Sequence, residues 1–143
     1  MRPAMELRKI EVKSIQDNRG LISFTEFEGL NPLFSIKRFY YITQVPEAMS
    51  RGNHGHKKLQ QLIFALSGKF ILRVTDGENS EEHILSANEY GMFLGPGLWR
   101  ELTGFSKNAV CLVLVSEKFD EDDYISDYEE FLYWRKNESN PIL

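Results

Sequence analysis

The segment QLIFALSGKFILRV, residues 61–74, decides the fold class. Gln61–Leu66 and Phe70–Val74 are two runs dominated by apolar, β-branched and aromatic residues, and the Ser-Gly-Lys triplet between them is typical of a hairpin turn. Alternation within the first run puts Leu62 and every second residue after it on one face of a strand. The segment therefore predicts two antiparallel strands joined by a hairpin.

Short runs of the same kind lie on both sides of this hairpin and are separated by turn residues such as those at 16–20. In chain order they are Arg8–Val12, Leu21–Phe27, Ser35–Ile42, Glu82–Ser86, Tyr90–Leu94, Leu98–Thr103 and Ala109–Ser116. There is no internal repeat and no linker that would divide the chain. About nine or ten strands at this spacing predict one all-β domain over residues 1–143, an antiparallel barrel or sandwich.

The C-terminal region has a different period. Within Phe119–Trp134, one helical face carries apolar side chains at i, i+4, i+7 and i+8, which are Tyr124, Tyr128, Phe131 and Leu132. Aspartates at 120, 122 and 123 are candidate caps for the start of such a helix. We expect a short C-terminal helix that packs on the sheets or on a partner subunit.

Composition excludes several function classes. A formal net charge of −4 argues against a surface that binds nucleic acid over its whole extent. The single cysteine, Cys111, cannot form an internal disulfide, and its apolar neighbours are typical of an inert core thiol. No stretch resembles a signal peptide or a membrane span, so we expect a cytoplasmic protein without a membrane partner.

Two of the three histidines, His54 and His56, stand one residue apart in RGNHGHKK, residues 51–58. On an extended segment, side chains at this spacing point to the same side. If no bulge follows, Lys58 and Gln60 share that side and lead into the apolar positions from Leu62 onward. The pattern predicts a cavity that is polar at its mouth and packed at its base.

The histidine pair has three interpretations, of which the first is that it has no role. The second is a metal site, because the pair resembles the start of the cupin metal motif, which adds a Glu and a later His. The corresponding positions here hold Gln60 and Arg100, and glutamine is a poor metal ligand while arginine is essentially never one. His83 lies in a polar run with the wrong context. We therefore expect no metal.

The third interpretation is acid–base chemistry. Imidazole titrates near neutrality, so one ring can remove a proton while another donates one. Two histidines facing one cavity suit the transfer of a proton between neighbouring carbons, as in a ketone isomerisation through an enediol. Such a reaction needs no cofactor if hydrogen-bond donors stabilise the enediolate.

Several separated motifs together resemble one family. The histidine segment is followed by Gln60-Gln61 and by the turn at 67–69, and the combination is similar to that of the sugar 3,4-ketoisomerases, cupin-like enzymes acting on dTDP-4-keto-6-deoxyglucose. Further similar segments, in the same order, are Ile36–Ile42, Gly95–Glu101, Val115–Ile125 and Asp127–Phe131. The resemblance implies a cupin-like antiparallel β-barrel (jelly roll) with a short C-terminal helix.

The resemblance also implies the site. His54 and His56 match the two motif histidines, which implies that they are catalytic, with neither metal nor cofactor. The residues expected to bind substrate are Arg19, Arg38, Tyr40, Arg51, Lys58, Gln60, Trp99, Arg100 and Glu101. Two positions depart from the family pattern: Gly55 replaces the common alanine between the histidines, and Arg100 replaces a histidine often found between the tryptophan and the glutamate.

The implied reaction converts dTDP-4-keto-6-deoxyglucose to a dTDP-3-keto-6-deoxyhexose. The resemblance at Arg19-Gly20 favours the galacto over the gluco product. The product would supply an aminotransferase that makes 3-amino-3,6-dideoxy sugars for a surface glycan such as O-antigen or for a natural product, and the enzyme would be a homodimer. The alternatives are a related epimerase, with Tyr40 or Tyr41 as second acid, and a non-catalytic sugar-nucleotide-binding cupin.

Overall fold

Antiparallel strands are the main elements of the computed structural model, which describes residues 5–28, 34–46 and 48–137. One 3-10 turn lies at Glu121–Asp123, and one α-helix, α1, spans Tyr128–Asn137. The strands are Leu7–Ile10 (β1), Lys13–Asp17 (β2), Gly20–Phe24 (β3), Arg38–Ile42 (β4), Arg51–His56 (β5), Gln61–Ser67 (β6), Lys69–Thr75 (β7), Ser80–Ser86 (β8), Gly91–Leu94 (β9), Trp99–Thr103 (β10), Val110–Val115 (β11) and Tyr124–Ile125 (β12). The prediction of an all-β, cupin-like antiparallel fold with a short C-terminal helix is confirmed.

The strands form two five-stranded sheets and a separate hairpin. Sheet one has the order β1-β9-β6-β11-β4, and sheet two has the order β12-β5-β10-β7-β8, while β2 pairs with β3 alone. Ile63 and Val113 of sheet one and Leu72 and Leu102 of sheet two belong to one buried cluster, so the main core lies between the two sheets. Cys111 is buried in that core, and burial raises the pKa of its thiol to about 12, as expected of an inert cysteine.

The hairpin predicted at residues 61–74 is wrong in its pairing, although both strands are present. β6 pairs with β9 and β11 in sheet one, while β7 pairs with β8 and β10 in sheet two. The turn between them is a corner from one sheet to the other. Gly68 has φ +65°, and a Cβ there would clash with the Ser106 side chain, so the corner requires glycine.

The continuous face expected from His54 through Leu62 is also wrong, because the chain changes sheets between β5 and β6. In the connecting segment, the Lys57 backbone N–H donates to the carbonyl of Asp123 and the Gln60 N–H donates to the Ser116 hydroxyl. Leu62 therefore lies in a second apolar cluster on the outer face of sheet one, not below the histidines.

Two further elements, one near each end of the described chain, have different bounds from those expected. The turn expected at 16–20 is shorter, because Lys13–Asp17 forms a strand whose exposed side chains gave no alternating apolar signal. The expected helix from 119 begins only at Tyr128, where the Asp127 side chain accepts the N–H of Glu130. No helix in the described ranges is long and apolar enough to cross a membrane.

Candidate active site

A cavity of about 550 Å³ opens where β4 of sheet one faces β5 and β10 of sheet two. The three strands supply most of its wall, and the segment before and within β12 supplies the rest. The lining residues are Arg38, Tyr40, Tyr41, Ile42, Arg51, Gly52, Asn53, His54, Arg100, Phe119 and Tyr124. A cleft with three arginines and a histidine suits an anionic small molecule.

His54 and His56 lie together on one side of β5, as their spacing predicts. Their ring centroids are 4.6 Å apart, with the two rings almost perpendicular. His54 lines the cavity, whereas His56 is only 2% exposed and is buried behind it. The two rings therefore have different access to a bound molecule.

Burial and the neighbouring positive charge of Arg100 keep His54 in its neutral form. The two residues face each other across the β5–β10 pairing, and Nη2 of Arg100 lies 3.3 Å from Nε2 of His54. Burial lowers the pKa of His54 to about 2, and the positive charge of Arg100 acts in the same direction. A histidine with this pKa is unprotonated near neutral pH.

His56 is oriented by Asp123, a residue that sequence reasoning treated only as a candidate helix cap. Nδ1 of His56 donates to Oδ2 of Asp123 at 3.2 Å, and the backbone N–H of Lys58 donates to Oδ1 at 2.8 Å. Burial lowers the pKa of His56, and the hydrogen bond to Asp123 opposes that shift. A neutral imidazole whose Nδ1–H donates a hydrogen bond to a carboxylate has its lone pair on Nε2.

The same contacts keep Asp123 ionised. Burial alone would raise the pKa of the Asp123 carboxyl, but the hydrogen bonds from His56 and from the Lys58 backbone outweigh that effect and lower it. Asp123 and His56 are therefore a buried carboxylate–imidazole pair, the arrangement that fixes the tautomer of catalytic histidines.

Tyr124 is a second site residue that sequence reasoning missed. It was assigned to a helical face, but it lies on β12, which pairs with β5 and places Tyr124 opposite His56. Its ring centroid is 4.9 Å from that of His54 and 4.4 Å from that of His56. The signal available in the sequence was the β-forming Tyr-Ile pair between two polar stretches.

Three more of the expected residues meet at the cavity. Tyr40 receives a hydrogen bond of 2.7 Å from Nη2 of Arg100. Arg38 donates through Nε to the carbonyl of Glu117 at 3.3 Å, and its buried Nη2 has no hydrogen-bond partner among the described residues. Arg51 is exposed at the rim. The guanidinium groups of Arg38 and Arg51 therefore add positive charge to the open side of the cavity.

Trp99 and Glu101 lie on β10 but do not line the cavity. Trp99 packs on Phe131 and Tyr128 of α1, and its Nε1 donates to Oε2 of Glu101 at 3.0 Å. Oε1 of Glu101 also lies 3.5 Å from Nη1 of Arg73. Their side chains contact α1 and β7 because alternate residues of β10 face away from Arg100.

Three other expected residues lie elsewhere in the chain's fold. Lys58 is exposed, with its Nζ 3.7 Å from Asp120, and Gln60 lies in the connection between sheets rather than beside the histidines. Arg19 is at the tip of the β2–β3 hairpin, where its 87% exposed side chain pairs with Asp17. Within the described part of one chain, none of the three reaches the cavity.

No group of three or more His, Cys, Asp or Glu side chains within residues 5–28, 34–46 and 48–137 is arranged to hold a metal ion. At the position where a third ligand would be expected, the guanidinium of Arg100 approaches His54 instead. A cation at this distance opposes binding of a second cation, so the residues present do not fit a metal.

Comparison with known proteins identifies close relatives. Residues 5–136 match the family model described as FdtA: WxcM-like, C-terminal. The chain is 40% identical over 127 residues to the TDP-4-oxo-6-deoxy-alpha-D-glucose-3,4-oxoisomerase of Aneurinibacillus thermoaerophilus, covering 89% of this chain and 91% of the relative.

Two solved structures are similar over nearly the whole chain. One is a histidine-to-asparagine variant of the 3,4-ketoisomerase QdtA from Thermoanaerobacterium thermosaccharolyticum in complex with TDP-4-keto-6-deoxyglucose, with TM-score 0.83, 36% identity, and coverage of 92% of this chain and 95% of that one. The other is a 3,4-ketoisomerase from Helicobacter canadensis, with TM-score 0.84, 36% identity, and coverage of 93% and 99%. The chain therefore belongs to the FdtA, WxcM-like family and is an enzyme of the sugar 3,4-ketoisomerase class that its motifs resemble.

Proposed function

We propose that this enzyme converts dTDP-4-keto-6-deoxyglucose to a dTDP-3-keto-6-deoxyhexose. The observation that carries the proposal is a neutral histidine, His54, which faces a cationic cavity beside a buried guanidinium. The similar QdtA structure holds TDP-4-keto-6-deoxyglucose, which supports the choice of substrate. A base next to a positive charge is what abstraction of a proton α to a ketone requires.

In the proposed reaction, His54 removes the proton from C-3. The electrons of the C3–H bond form the C3=C4 double bond, and the C-4 carbonyl becomes an enolate oxygen. The C-3 hydroxyl then passes its proton to the enolate oxygen at C-4, which becomes a hydroxyl. As the C-3 carbonyl forms, C-4 takes up a proton in place of the one that left C-3. The step needs no external oxidant or reductant, since one carbon is oxidised and its neighbour is reduced.

The two histidines take part in these proton transfers from different positions, one at the cavity and one buried behind it. His54 is assigned to C-3 because it lines the cavity. His56, buried and hydrogen-bonded to Asp123, is the second group, and its Nε2 has no partner within the described residues. Tyr124 lies against both rings and limits how either can turn.

The diphosphate is assigned to Arg38 and Arg51 at the open side of the cavity. Arginine binds phosphate oxygens in a bidentate way, and Nη2 of Arg38 has no hydrogen-bond partner within the described part of the chain. Phe119 and Tyr124 offer aromatic surfaces for the sugar or the thymine. Trp99 and Glu101 contribute by holding β10 against α1 and β7.

The product is assigned the galacto configuration at C-4 on the resemblance at Arg19-Gly20. A 3-keto sugar of this kind is the substrate that an aminotransferase needs to make a 3-amino-3,6-dideoxy sugar. The pathway assignment therefore follows from the chemistry of the product.

We also propose that the enzyme is a homodimer through the outer face of sheet one. Phe39 and Tyr41 are exposed there and lie beside Leu114 and Leu112 in the β4–β11 pairing. An apolar row of this kind on an edge strand is a favourable surface for a second copy of the chain.

The test is incubation of the enzyme with dTDP-4-keto-6-deoxyglucose in D₂O, followed by NMR at each ring carbon. The proposal predicts deuterium at the exchanging positions C-3 and C-4 and accumulation of the 3-keto sugar, with the C-4 coupling constant reporting its configuration. Exchange at C-5 would indicate an epimerase instead. Binding of dTDP without exchange at any carbon would indicate a non-catalytic binding protein.

A further inference from the structure

Arg100 is a buried positive charge without a countercharge. It is 1% exposed and is the largest fully buried side chain in the described part of the chain. Nη2 donates to the Tyr40 hydroxyl and lies 3.3 Å from Nε2 of His54, while Nε and Nη1 have no hydrogen-bond partner among the described residues. No ion pair involves it within residues 5–28, 34–46 and 48–137. Proteins seldom bury an ion in this way unless something compensates for the lost hydration.

The cavity wall does not supply the missing charge. Its described lining residues include three arginines, Arg38, Arg51 and Arg100, and no aspartate or glutamate. The carboxylate of Asp123 is already shared between His56 and the backbone of Lys58. Within the described residues no carboxylate pairs with Arg100, so an anionic molecule in the cavity would compensate its charge.

The position of Arg100 indicates which part of that molecule carries the charge. Arg38 and Arg51 are less buried than Arg100, at positions suited to a diphosphate. Arg100 is instead directly opposite His54 in the β5–β10 register, at 3.3 Å from its ring nitrogen. Gly52 makes room for it, since a Cβ there would lie 3.3 Å from Nη2. The guanidinium is thus held beside the ring of His54, the base of the proposed reaction.

We propose that Arg100 is the catalytic electrophile, whose positive charge stabilises the enediolate oxygen that forms when His54 takes the C-3 proton. This inference rests on the proposed ketoisomerase function. Arg100 donates hydrogen bonds and stays protonated throughout, so it takes no part in the proton balance. A preorganised cation at the developing oxyanion stabilises the transition state more than the ground state. Burial removes the hydration of the guanidinium, but it holds the positive charge in position before the substrate binds.

The test is Arg100→Met, which fills a similar volume without charge. We expect kcat to fall by about 100-fold or more, as for loss of an oxyanion donor, while KM and the dissociation constant for dTDP change little. The melting temperature should stay the same or rise, because the variant removes an uncompensated buried charge. Retention of kcat in a folded Arg100→Met enzyme would overturn the proposal. A parallel loss of dTDP affinity would also overturn it, because Arg100 would then bind the diphosphate.

Two further variants sharpen the comparison. Arg51→Met, the matched loss of an arginine at the rim, should weaken dTDP binding with a smaller effect on kcat. Arg100→Lys keeps a positive charge, so it should recover part of the kcat lost in Arg100→Met; if the methionine variant does not fold, Arg100→Gln replaces it. A wild-type enzyme inactive on dTDP-4-keto-6-deoxyglucose would refute the proposed function itself. An active wild type with an equally active Arg100→Met would refute only the role of Arg100.

Discussion

Asp123 shows how one residue can organise the site without touching the cavity. Its two carboxylate oxygens accept from different parts of the chain, Nδ1 of His56 and the backbone N–H of Lys58. The contact with His56 fixes the ring's tautomer, and the contact with Lys58 fixes the end of β5. A single buried carboxylate therefore sets both the position and the protonation pattern of the second histidine.

Replacement of this carboxylate gives a prediction for catalysis. In Asp123→Asn, the amide can no longer accept the Nδ1 proton through the same atom, so the imidazole turns to the other tautomer. We expect kcat to fall by about 100-fold or more, because loss of the carboxylate leaves the catalytic imidazole in the wrong tautomer, with KM nearly unchanged. ¹⁵N NMR of the His56 ring should show the change of tautomer.

Asp122→Asn is the matched control for this substitution. Asp122 is the exposed neighbour of Asp123, and its side chain makes no contact with the histidines. It should keep wild-type kcat and the wild-type ¹⁵N spectrum. Equal activity of Asp123→Asn and Asp122→Asn would show that the carboxylate does not position His56.

The histidine pair could be predicted from sequence, whereas its partner could not. Two residues at i and i+2 of a strand share a face whatever the rest of the fold does, so the proximity of His54 and His56 followed from local geometry. Asp123 is 67 residues from His56 along the chain. Its contact depends on how β12 pairs with β5, which no local pattern encodes.

At the scale of elements, the site depends on the packing of α1 against β5. Gly55 lies between the two histidines, and a Cβ there would be 2.8 Å from Cδ1 of Phe131. Phe131 is fully buried in a cluster with Trp99 and Ile125. Glycine in place of the family's alanine therefore has a structural reason: the ring of Phe131 on α1 occupies the space that an alanine methyl group would need.

Gly55→Ala consequently should destabilise the enzyme. The added methyl must displace the Phe131 ring, and overpacking of this kind costs about 1–3 kcal/mol. Urea unfolding followed by tryptophan fluorescence measures the free energy. Phe131→Leu opens space at the same contact, so the double variant should be less unstable than the two single changes added together. Simple additivity, or no loss in Gly55→Ala, would contradict the proposed contact.

The strands themselves were predictable because apolar and β-branched runs report burial on a pleated surface. The pairing partners of the strands were harder to predict. β6 and β7 look like a hairpin in sequence, but the corner at Gly68 sends them to different sheets. Tyr124 was assigned to a helix because Tyr128 and Phe131 continue the helical period, yet pairing with β5 holds it in a strand. Tertiary contacts overrode the local pattern in both cases.

At the scale of the whole molecule, the two faces of sheet one have different environments. Its inner face forms the main core with sheet two. Its outer face is covered in part by apolar residues near the β2–β3 hairpin, but Phe39 and Tyr41 on the edge strand remain exposed. Exposed aromatic side chains beside leucines are the strongest argument in this fold for self-association.

Analytical ultracentrifugation tests the homodimer. The wild-type enzyme should sediment at twice the mass of a single chain. Phe39→Arg places a charge in the proposed interface and should shift the population to monomer. Ile84→Arg, at an exposed position on β8 of the other sheet, is the matched control and should stay dimeric. A monomeric wild type, or a dimeric Phe39→Arg, would rule out this interface.

The central claim is that His54 removes the C-3 proton of the nucleotide-linked keto sugar. The most direct measurement is the rate at which deuterium from D₂O enters C-3 of dTDP-4-keto-6-deoxyglucose, compared between wild type and His54→Asn. His83→Asn is the control, because His83 lies on β8 and contacts Glu81 and Tyr90 instead of the cavity. We predict that His54→Asn slows exchange by about 100-fold or more while still binding dTDP, and that His83→Asn exchanges at the wild-type rate. Exchange at C-3 by His54→Asn as fast as by wild type would contradict the account.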